Sequence, residues 1–386
     1  MDARKVALAV GALASISAGA AEAQTPFTWK FDSTTLNLYG NVDYYLNYQR
    51  SSSGSDIVSL QDGAYQRTRI GFKVDNAVAE GYTIKFQAEQ GLNDTNGGQA
   101  DTTRLFDRQF WAGLASPAGE FRIGRQNSAI FTKGAYIDNT ARTLGSVINS
   151  FGVPSRYDSD FAYISPRWSG FQFEGHYSIQ GSTANHVSNQ AVYQLAVEWA
   201  GGPWRAGYAG IVGQPPSGSP IPDKVKYDNL YGNWDYGKGK VYLALVRSNN
   251  NSTTAGSPGI LNNGGAPLGN TGALVTGTDP GAQTFYKVYQ VSADYQATPK
   301  LRVGGLVGKI VAEDRDDADA TGWSFAGYYD VFKNTILYGI IDQIKNDPNA
   351  GFRPQGSASL TKTFTDANDV NGRTISGVHV GFVYKF

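Results

Sequence analysis

The chain has 386 residues and a formal net charge of zero, because 33 Lys and Arg balance 33 Asp and Glu, and it contains no cysteine. The lack of cysteine excludes disulfide bonds and thiol nucleophiles, and the lack of a basic excess argues against nucleic-acid binding. Glycine is frequent, at 47 residues, beside 23 Tyr and 19 Phe. This composition favours strands, tight turns and interfacial aromatic residues.

The first 23 residues have the features of a secretory signal peptide. Arg4 and Lys5 precede an apolar run from Val6 to Ala21, and Ala21-Glu22-Ala23 is a small-residue cleavage pattern. The run is shorter than the roughly 18 apolar residues that a membrane-spanning helix needs. We therefore predict a signal peptide over residues 1–23 and one mature domain over residues 24–386.

The next clear pattern is a long alternation of apolar and polar residues from Leu36 to Gln49. Leu36, Leu38, Val42 and Leu46 fall on one face, and the intervening positions are mostly Asn, Asp and Tyr. The period of two is that of a β-strand, and a length of roughly 13 residues suits a tilted strand that crosses an outer membrane. This stretch predicts a transmembrane strand with one lipid side and one polar side.

The same pattern recurs along the chain and predicts about sixteen strands in all. After the first strand they are predicted near Gln66 to Val74, Tyr82 to Leu92, Arg104 to Ala115, Glu120 to Arg125, Tyr157 to Ser165, Phe171 to Gln180, Gln190 to Trp199, Trp204 to Val212, Tyr227 to Tyr236, Val241 to Arg247, Phe285 to Gln296, Leu301 to Val311, Trp323 to Val331, Thr335 to Ile344 and Thr374 to Phe386. An even number of strands allows an antiparallel barrel to close.

Short and long connections alternate between these strands. Short turns such as Ser116 to Gly119 and Ala297 to Lys300 alternate with long segments at Gln126 to Arg156, Ser248 to Thr284 and Lys345 to Arg373. Short periplasmic turns opposite long external loops are typical of outer-membrane barrels. The fold class predicted is therefore all-β, a transmembrane antiparallel up-and-down β-barrel.

The last strand places Val378, Val380, Phe382, Tyr384 and Phe386 on one face. An exposed apolar strand at the edge of a soluble sheet would invite aggregation, so this strand has to be paired and covered. In a closed barrel it pairs with the first strand, and its apolar face points outward to lipid.

This ending resembles the C-terminal signature of Gram-negative general porins, and five internal segments resemble porin segments in the same order. These are Leu38-Tyr39-Gly40, Arg69-Ile70-Gly71-Phe72-Lys73, Arg108-Gln109-Phe110-Trp111-Ala112-Gly113-Leu114, Gly124-Arg125-Gln126, and Tyr163-Ile164-Ser165-Pro166-Arg167-Trp168-Ser169-Gly170-Phe171. Together they are most similar to the trimeric porins of β-proteobacteria. The resemblance implies passive diffusion of ions and small hydrophilic solutes, a homotrimer in outer-membrane lipid, and Phe386 with Tyr384 as the signal that the barrel-assembly machinery reads.

The resemblance also implies that the third external loop folds into the lumen, with basic wall residues facing charged loop residues. Carried over by motif, the wall residues are Arg69, Arg108 and Arg125, with Arg67 next to them and Arg122 below. The charged residues of the loop are Asp138, Lys133 and Arg142. Alternation supports an inward direction for Arg67 and Arg69, leaves Arg108 open, and would aim Arg125 outward unless the chain bends there. Asn41 stands where some relatives carry a basic residue. A local positive excess predicts a mild anion preference.

Two other functions stay open. Lumen tyrosines such as Tyr39 and Tyr45 would suit a substrate-specific channel, and His176 with Ser178 on one strand face faintly resembles outer-membrane barrel phospholipases. No catalytic site, cofactor or metal is predicted, although divalent-cation binding by the acidic stretch from Glu313 to Asp319 stays open.

Overall fold

The computed structural model describes residues 27–93, 95–102, 104–179, 191–213, 224–249, 285–358, 362–364 and 366–386. The predicted signal peptide and most of the predicted loop from Ser248 to Thr284 lie outside this range. Within it, no helix has the length and apolar character needed to cross a membrane.

The described residues form nineteen strands, two short α-helices and two 3-10 turns. The strands are β1 (Phe27–Phe31), β2 (Thr34–Ser51), β3 (Asp56–Asp62), β4 (Arg69–Ala79), β5 (Tyr82–Asn93), β6 (Gly98–Gln99), β7 (Gln109–Ser116), β8 (Gly119–Asn127), β9 (Arg156–Ile164), β10 (Phe171–Ser178), β11 (Val192–Gly201), β12 (Trp204–Gly213), β13 (Val225–Asp235), β14 (Lys240–Ser248), β15 (Tyr286–Gln296), β16 (Leu301–Ala312), β17 (Ala320–Phe332), β18 (Thr335–Asn346) and β19 (Thr374–Lys385). The helices are α1 (Ala129–Thr132) and α2 (Val147–Phe151), and the 3-10 turns are Gly134–Tyr136 and Ala367–Asp369.

These strands form one closed antiparallel ring, because β19 pairs with β2 as well as with β18. Three short strands share a ring position with another strand. Along one side of β2, β1 pairs with the residues that precede those paired with β19. Along the other side of β2, β3 pairs with the residues that follow those paired with β4. Along β5, β6 pairs with the residues that follow those paired with β7. The ring therefore has sixteen positions, which confirms the predicted fold class.

The two faces of the strands differ as the alternation predicts. Large apolar side chains such as Val307, Phe325 and Leu243 are exposed on the outer face, whereas their sequence neighbours Leu306, Ser324 and Ala244 are buried inside. In the part of the chain that the structure describes, closure pairs each of the sixteen ring positions on both sides, so the ring has no open edge.

Some predicted boundaries were wrong. The predicted strand from Arg104 begins only at Gln109, where the pairing with β5 starts; in the segment before it Asp107 and Arg108 are buried, whereas Phe106 packs against Phe72 and Phe110 on the outer face. β1, β3 and β6 were not predicted, since each is short and extends a position that a longer strand already occupies. Between β8 and β9 the chain enters the barrel as loop 3, which we define as residues 128–155.

Candidate channel constriction

Loop 3 lies inside the ring, against the inner face of one half of the barrel. Ser128 and Ser146 cap α1 and α2, because their side chains accept hydrogen bonds from Phe131 N and Asn149 N. Ala129 N donates to the side chain of Gln194 on β11 at 2.9 Å. These contacts begin a series that follows the inner wall from β10 to β17.

The middle of loop 3 is held by Gln290 on β15. Its side-chain Nε2 donates to Asp138 Oδ2 at 2.7 Å, and its Oε1 accepts from Ile148 N at 3.0 Å. On the neighbouring strand, Arg302 donates to the carbonyl oxygen of Asn139 at 2.8 Å. The loop is therefore attached by directed hydrogen bonds as well as by apolar contact.

Glycines on the inner wall make room for α2. A Cβ at Gly308 on β16 would lie 3.0 Å from Val147 Cβ, and one at Gly322 on β17 would lie 2.8 Å from Val147 Cγ2. The glycines thus allow a helix to pack closely against the sheet. Ile148 and Phe151 complete this contact and are fully buried.

The other half of the ring carries a group of arginines around Glu89 of β5. Arg108 Nε lies 2.6 Å from Glu89 Oε1, and Arg69 NH1 lies 3.8 Å from the same oxygen. Tyr39 donates its hydroxyl to Glu89 Oε2 at 2.8 Å. One buried carboxylate therefore holds two of the predicted wall arginines, and we refer to Arg67, Arg69, Arg104, Arg108, Arg125 and Arg156 as the wall cluster.

Arg125 turns inward because the chain bends at Gly124. Ile123 is exposed on the outer face, so strict alternation would place Arg125 outside. Instead the register between β8 and β9 shifts at this point, and Gly124 adopts a φ of 132°, which favours glycine. Arg125 is consequently buried inside and donates to Asp158 Oδ1 at 2.6 Å.

Arg67 is placed by the segment that joins β3 to β4. Asp43 on β2 accepts from the backbone N–H groups of Tyr65 and Gln66, and Asn41 donates to the carbonyl oxygen of Arg67 at 3.0 Å. Asn41 thus positions an arginine of the wall cluster.

Arg104 and Arg156 belong to the wall cluster but were not predicted. Arg104 donates to Asp158 Oδ2 at 2.8 Å, and the Arg156 guanidinium lies 4.8 Å from the ring centroid of Phe131 in loop 3. Arg104 was assigned to a strand and Arg156 to a loop end, and a sequence pattern gives no signal that both turn inside.

Asp138 and Arg142 of loop 3 do not have the arrangement predicted for them. Asp138 is only 1% exposed and accepts from groups of loop 3 itself and from Gln290. Arg142 donates to the carbonyl oxygens of Ile130 and Phe131, and burial lowers its pKa to about 10. These two side chains hold loop 3 together and do not face the wall cluster across open space.

Lys133 also forms an ion pair with the barrel wall. Its Nζ lies 2.8 Å from Glu174 Oε2 on β10, and both side chains are buried. Glu174 Oε1 in turn contacts His176 Nε2 at 3.0 Å, and Asp160 on β9 contacts His176 Nδ1 at 2.6 Å. Both ring nitrogens therefore face carboxylates, and the imidazolium form donates to both.

This arrangement also contradicts the hydrolase alternative. Ser178 donates its hydroxyl to Asp160 Oδ1 at 2.7 Å and has no accessible surface. His176 already uses both ring nitrogens on carboxylates, so it cannot accept a proton from Ser178. These residues form a buried ion-pair network and not a nucleophile with its base.

The remaining sequence alternatives find no geometric support. The Tyr39 hydroxyl donates a hydrogen bond to Glu89, and Tyr45 is only 1% exposed. Neither aromatic ring is therefore open for a solute to stack on. In the acidic stretch, Glu313 and Asp319 are already paired with basic side chains. Among the described residues, no group of three or more His, Asp or Glu is arranged to hold a metal ion.

A closed ring of sixteen antiparallel positions, apolar outside and polar inside, with an internal loop opposite an arginine cluster, defines a transmembrane β-barrel of the porin class. A family model described as Gram-negative porin matches residues 7–349. The chain therefore belongs to the Gram-negative porin family, whose members lie in the outer membrane.

Individual relatives agree with this assignment. An outer membrane porin protein of Bordetella pertussis is 30% identical over 211 residues, which are 50% of this chain and 51% of the relative, so the match spans about half of its length. The anion-selective porin from Comamonas acidovorans superposes with a TM-score of 0.69 at 17% identity, covering 92% of this chain and 100% of that one. OmpT of Vibrio cholerae in its trimer form gives 0.59 at 15% identity, covering 92% and 100%.

Proposed function

We propose that the protein forms a water-filled channel for passive diffusion of ions and small hydrophilic solutes, and that it transforms none of them. The observation that carries this proposal is the position of loop 3, which lies inside the closed ring opposite the wall cluster. Such a loop narrows the lumen without closing it and filters solutes by size and charge.

Solvent reaches basic side chains on the inner face, which supports an aqueous lumen. The side chains of Arg122, Arg205 and Arg302 keep 23%, 25% and 23% of their accessible surface, although all three lie on inward-facing positions. An apolar solute passing these groups would displace their water without replacing its hydrogen bonds, whereas a polar solute would replace them.

The charges near the narrow region favour anions slightly. The six guanidinium groups of the wall cluster are accompanied by five carboxylates, namely Asp62, Glu89, Asp101, Asp107 and Asp158. The excess is one positive charge, so we expect a mild anion preference. In this arrangement the positive charge of the wall includes that of Arg67, Arg69, Arg108 and Arg125. Loop 3 is held in position by Lys133, Asp138 and Arg142.

Reconstitution into a planar lipid bilayer tests the proposal. We expect stepwise current increases and, in a salt gradient, a reversal potential of the sign that indicates anion preference. Protein that inserts as a folded barrel and passes no current would overturn the channel assignment. A reversal potential of the opposite sign would overturn the anion preference alone. Heat-unfolded protein serves as the control.

We also propose a homotrimer in outer-membrane lipid. The outer surface of β4, β5 and β7 supports it, because Phe72, Phe86, Phe106 and Phe110 contact one another there, with ring centroids 5.4 to 6.0 Å apart. A dense aromatic patch suits contact with another subunit. Replacing Phe110 by Asn should convert the heat-sensitive trimer band on a gel to monomer, whereas Phe325→Asn on β17, outside this patch, should leave it unchanged.

Two further parts of the proposal concern export. We propose that residues 1–23 are removed as a signal peptide and that the barrel-assembly machinery recognises Phe386 and Tyr384. Support for the second lies in the pairing of Phe386 with Gly40 at ring closure. Mass spectrometry of the outer-membrane form tests the cleavage after Ala23, and Phe386→Ala tests the recognition by the amount of folded barrel in cells.

A further inference from the structure

The ring of Phe131 connects loop 3 to the wall cluster. Its centroid lies 4.8 Å from the guanidinium carbon of Arg156, which belongs to the wall cluster, and 4.8 Å from that of Arg142, which belongs to loop 3. Both distances are within the roughly 6 Å over which an aromatic ring attracts a guanidinium group. One phenylalanine of loop 3 therefore stacks on an arginine of the wall and on an arginine of the loop.

Arg156 differs from most of the wall cluster in what holds it. Four of the six guanidinium groups form ion pairs with Glu89 or Asp158. Among the described residues, Arg67 and Arg156 form no ion pair. Arg156 is 6% exposed, and its Nε and NH2 groups have no hydrogen-bond partner in the described part of the chain. The stacking on Phe131 is therefore the contact that fixes this guanidinium group.

Arg142 does not depend on the ring in the same way. Its NH1 and NH2 groups donate to the carbonyl oxygens of Ile130 and Phe131, each at 3.1 Å. These acceptors are backbone atoms, so a substitution of the Phe131 side chain leaves them in place. Removal of the ring thus breaks the contact with Arg156 while Arg142 stays hydrogen-bonded within loop 3.

The base of loop 3 fixes the position of Phe131 relative to Arg156. Ser128 N donates to the carbonyl oxygen of Ser155 at 2.8 Å, and Ser128 Oγ donates to that of Pro154 at 2.8 Å. The same Oγ accepts from Phe131 N at 3.0 Å. Because Ser128 binds both ends of the loop, the ring is held beside Arg156, the first residue of β9.

Arg156 adds its charge to the centre of the wall cluster. It interacts electrostatically with Glu89, Arg108 and Arg125. Glu89 is already bonded to Arg108 at 2.6 Å, so it does not neutralise Arg156 at short range. The charge of Arg156 therefore acts on ions in the narrow region with little compensation from a direct partner.

We propose, on the basis of the proposed function, that Phe131 is a positioning residue for ion selectivity, because its ring holds the Arg156 guanidinium group at the narrow region. Without the ring, no direct partner keeps this group in place, and the long side chain regains rotamer freedom. The positive charge then acts on passing ions from a greater average distance, and its effect on them falls.

Reversal potentials in a salt gradient test the proposal. Phe131→Leu keeps an apolar side chain of similar size without an aromatic face, and its potential should shift toward the cation-selective sign, as in Arg156→Gln. Phe131→Trp keeps an aromatic face and should retain the wild-type potential. Phe352→Leu removes a lumen phenylalanine whose ring packs on Phe151 and Tyr286, and it should also retain that potential.

A double variant separates the positioning of a charge from a change in pore width. In the Arg156→Gln background, Phe131→Leu should cause no further shift, because the charge that the ring holds is already absent. A further shift of full size there would overturn the proposal, and so would a wild-type potential in Phe131→Leu alone. An equal shift in Phe352→Leu would also overturn it, since the cause would then be general packing.

NMR of protein with isotope-labelled arginine tests the contact without the need for conduction. The Arg156 Nε–H signal, assigned by its loss in Arg156→Gln, should show a ring-current shift that Phe131→Leu removes. Wild-type protein that passes no current would overturn the proposed function and with it the role in selectivity. A conducting protein whose Arg156 signal does not respond to Phe131→Leu would overturn the positioning role alone.

Discussion

The ring of Phe386 lies against the backbone of Gly40, at the point where the end of the sheet meets its beginning. Gly40 N donates to Phe386 O at 2.9 Å, and Phe386 N donates to Gly40 O at 3.0 Å. A Cβ on residue 40 would overlap the phenyl ring and would lie 2.7 Å from the carbonyl oxygen of Arg69. Closure of the barrel therefore depends on a position without a side chain.

Gly40→Ala should weaken ring closure. Because both the Phe386 ring and the Arg69 backbone would have to move, we expect a loss of roughly 1 to 3 kcal/mol in the free energy of unfolding. Denaturant titration of the refolded protein, followed by heat-dependent gel mobility, measures this change. Gly175→Ala is the matched control, since a Cβ there meets nothing within 4 Å. Equal stability of the two variants would contradict the expectation.

Arg125→Gln should reduce the anion preference of the channel. The substitution removes one of six cations beside five carboxylates, so the local excess of one positive charge falls to zero. The reversal potential in a salt gradient should move toward the cation-selective sign. Arg50→Gln, which removes an exposed arginine on the outer face, should leave the potential unchanged. A reversal potential in Arg125→Gln equal to that of the wild type would show that Arg125 does not contribute to the anion preference.

The barrel itself could be predicted because lipid and water impose opposite demands on adjacent residues of every strand. The resulting alternation is local in the sequence, so it can be recognised from Leu36 to Gln49 without knowledge of the strands that pair with this segment. The direction of Arg125 could not be predicted, because it depends on a register shift between β8 and β9. The role of Asp138 depends on Gln290, which is 152 residues away in the chain.

Glu313 should stay ionised in acid. Hydrogen bonds from Arg247 and then Lys287 lower the pKa of this carboxyl group to about 2, from an ordinary value of 4.5. A lowered pKa means that the contact is complete above pH 4.5 and is lost as the pH falls through about 2. Carboxyl NMR of labelled protein measures the midpoint. In Arg247→Gln the midpoint should rise toward 4.5, and a wild-type midpoint already near 4.5 would refute the pairing.

Lys133→Met should loosen loop 3. The substitution leaves the Glu174 carboxylate buried without its ammonium partner, which costs about 3 to 5 kcal/mol at such sites. The loop can avoid that cost by moving away from β10 and admitting water, so we expect a larger single-channel conductance with more current noise. Lys133→Met/Glu174→Gln removes both charges and should lie closer to wild type. Lys333→Met, at an exposed turn, controls for the loss of a lysine, and identical conductance in all four proteins would show that this pair does not hold the loop.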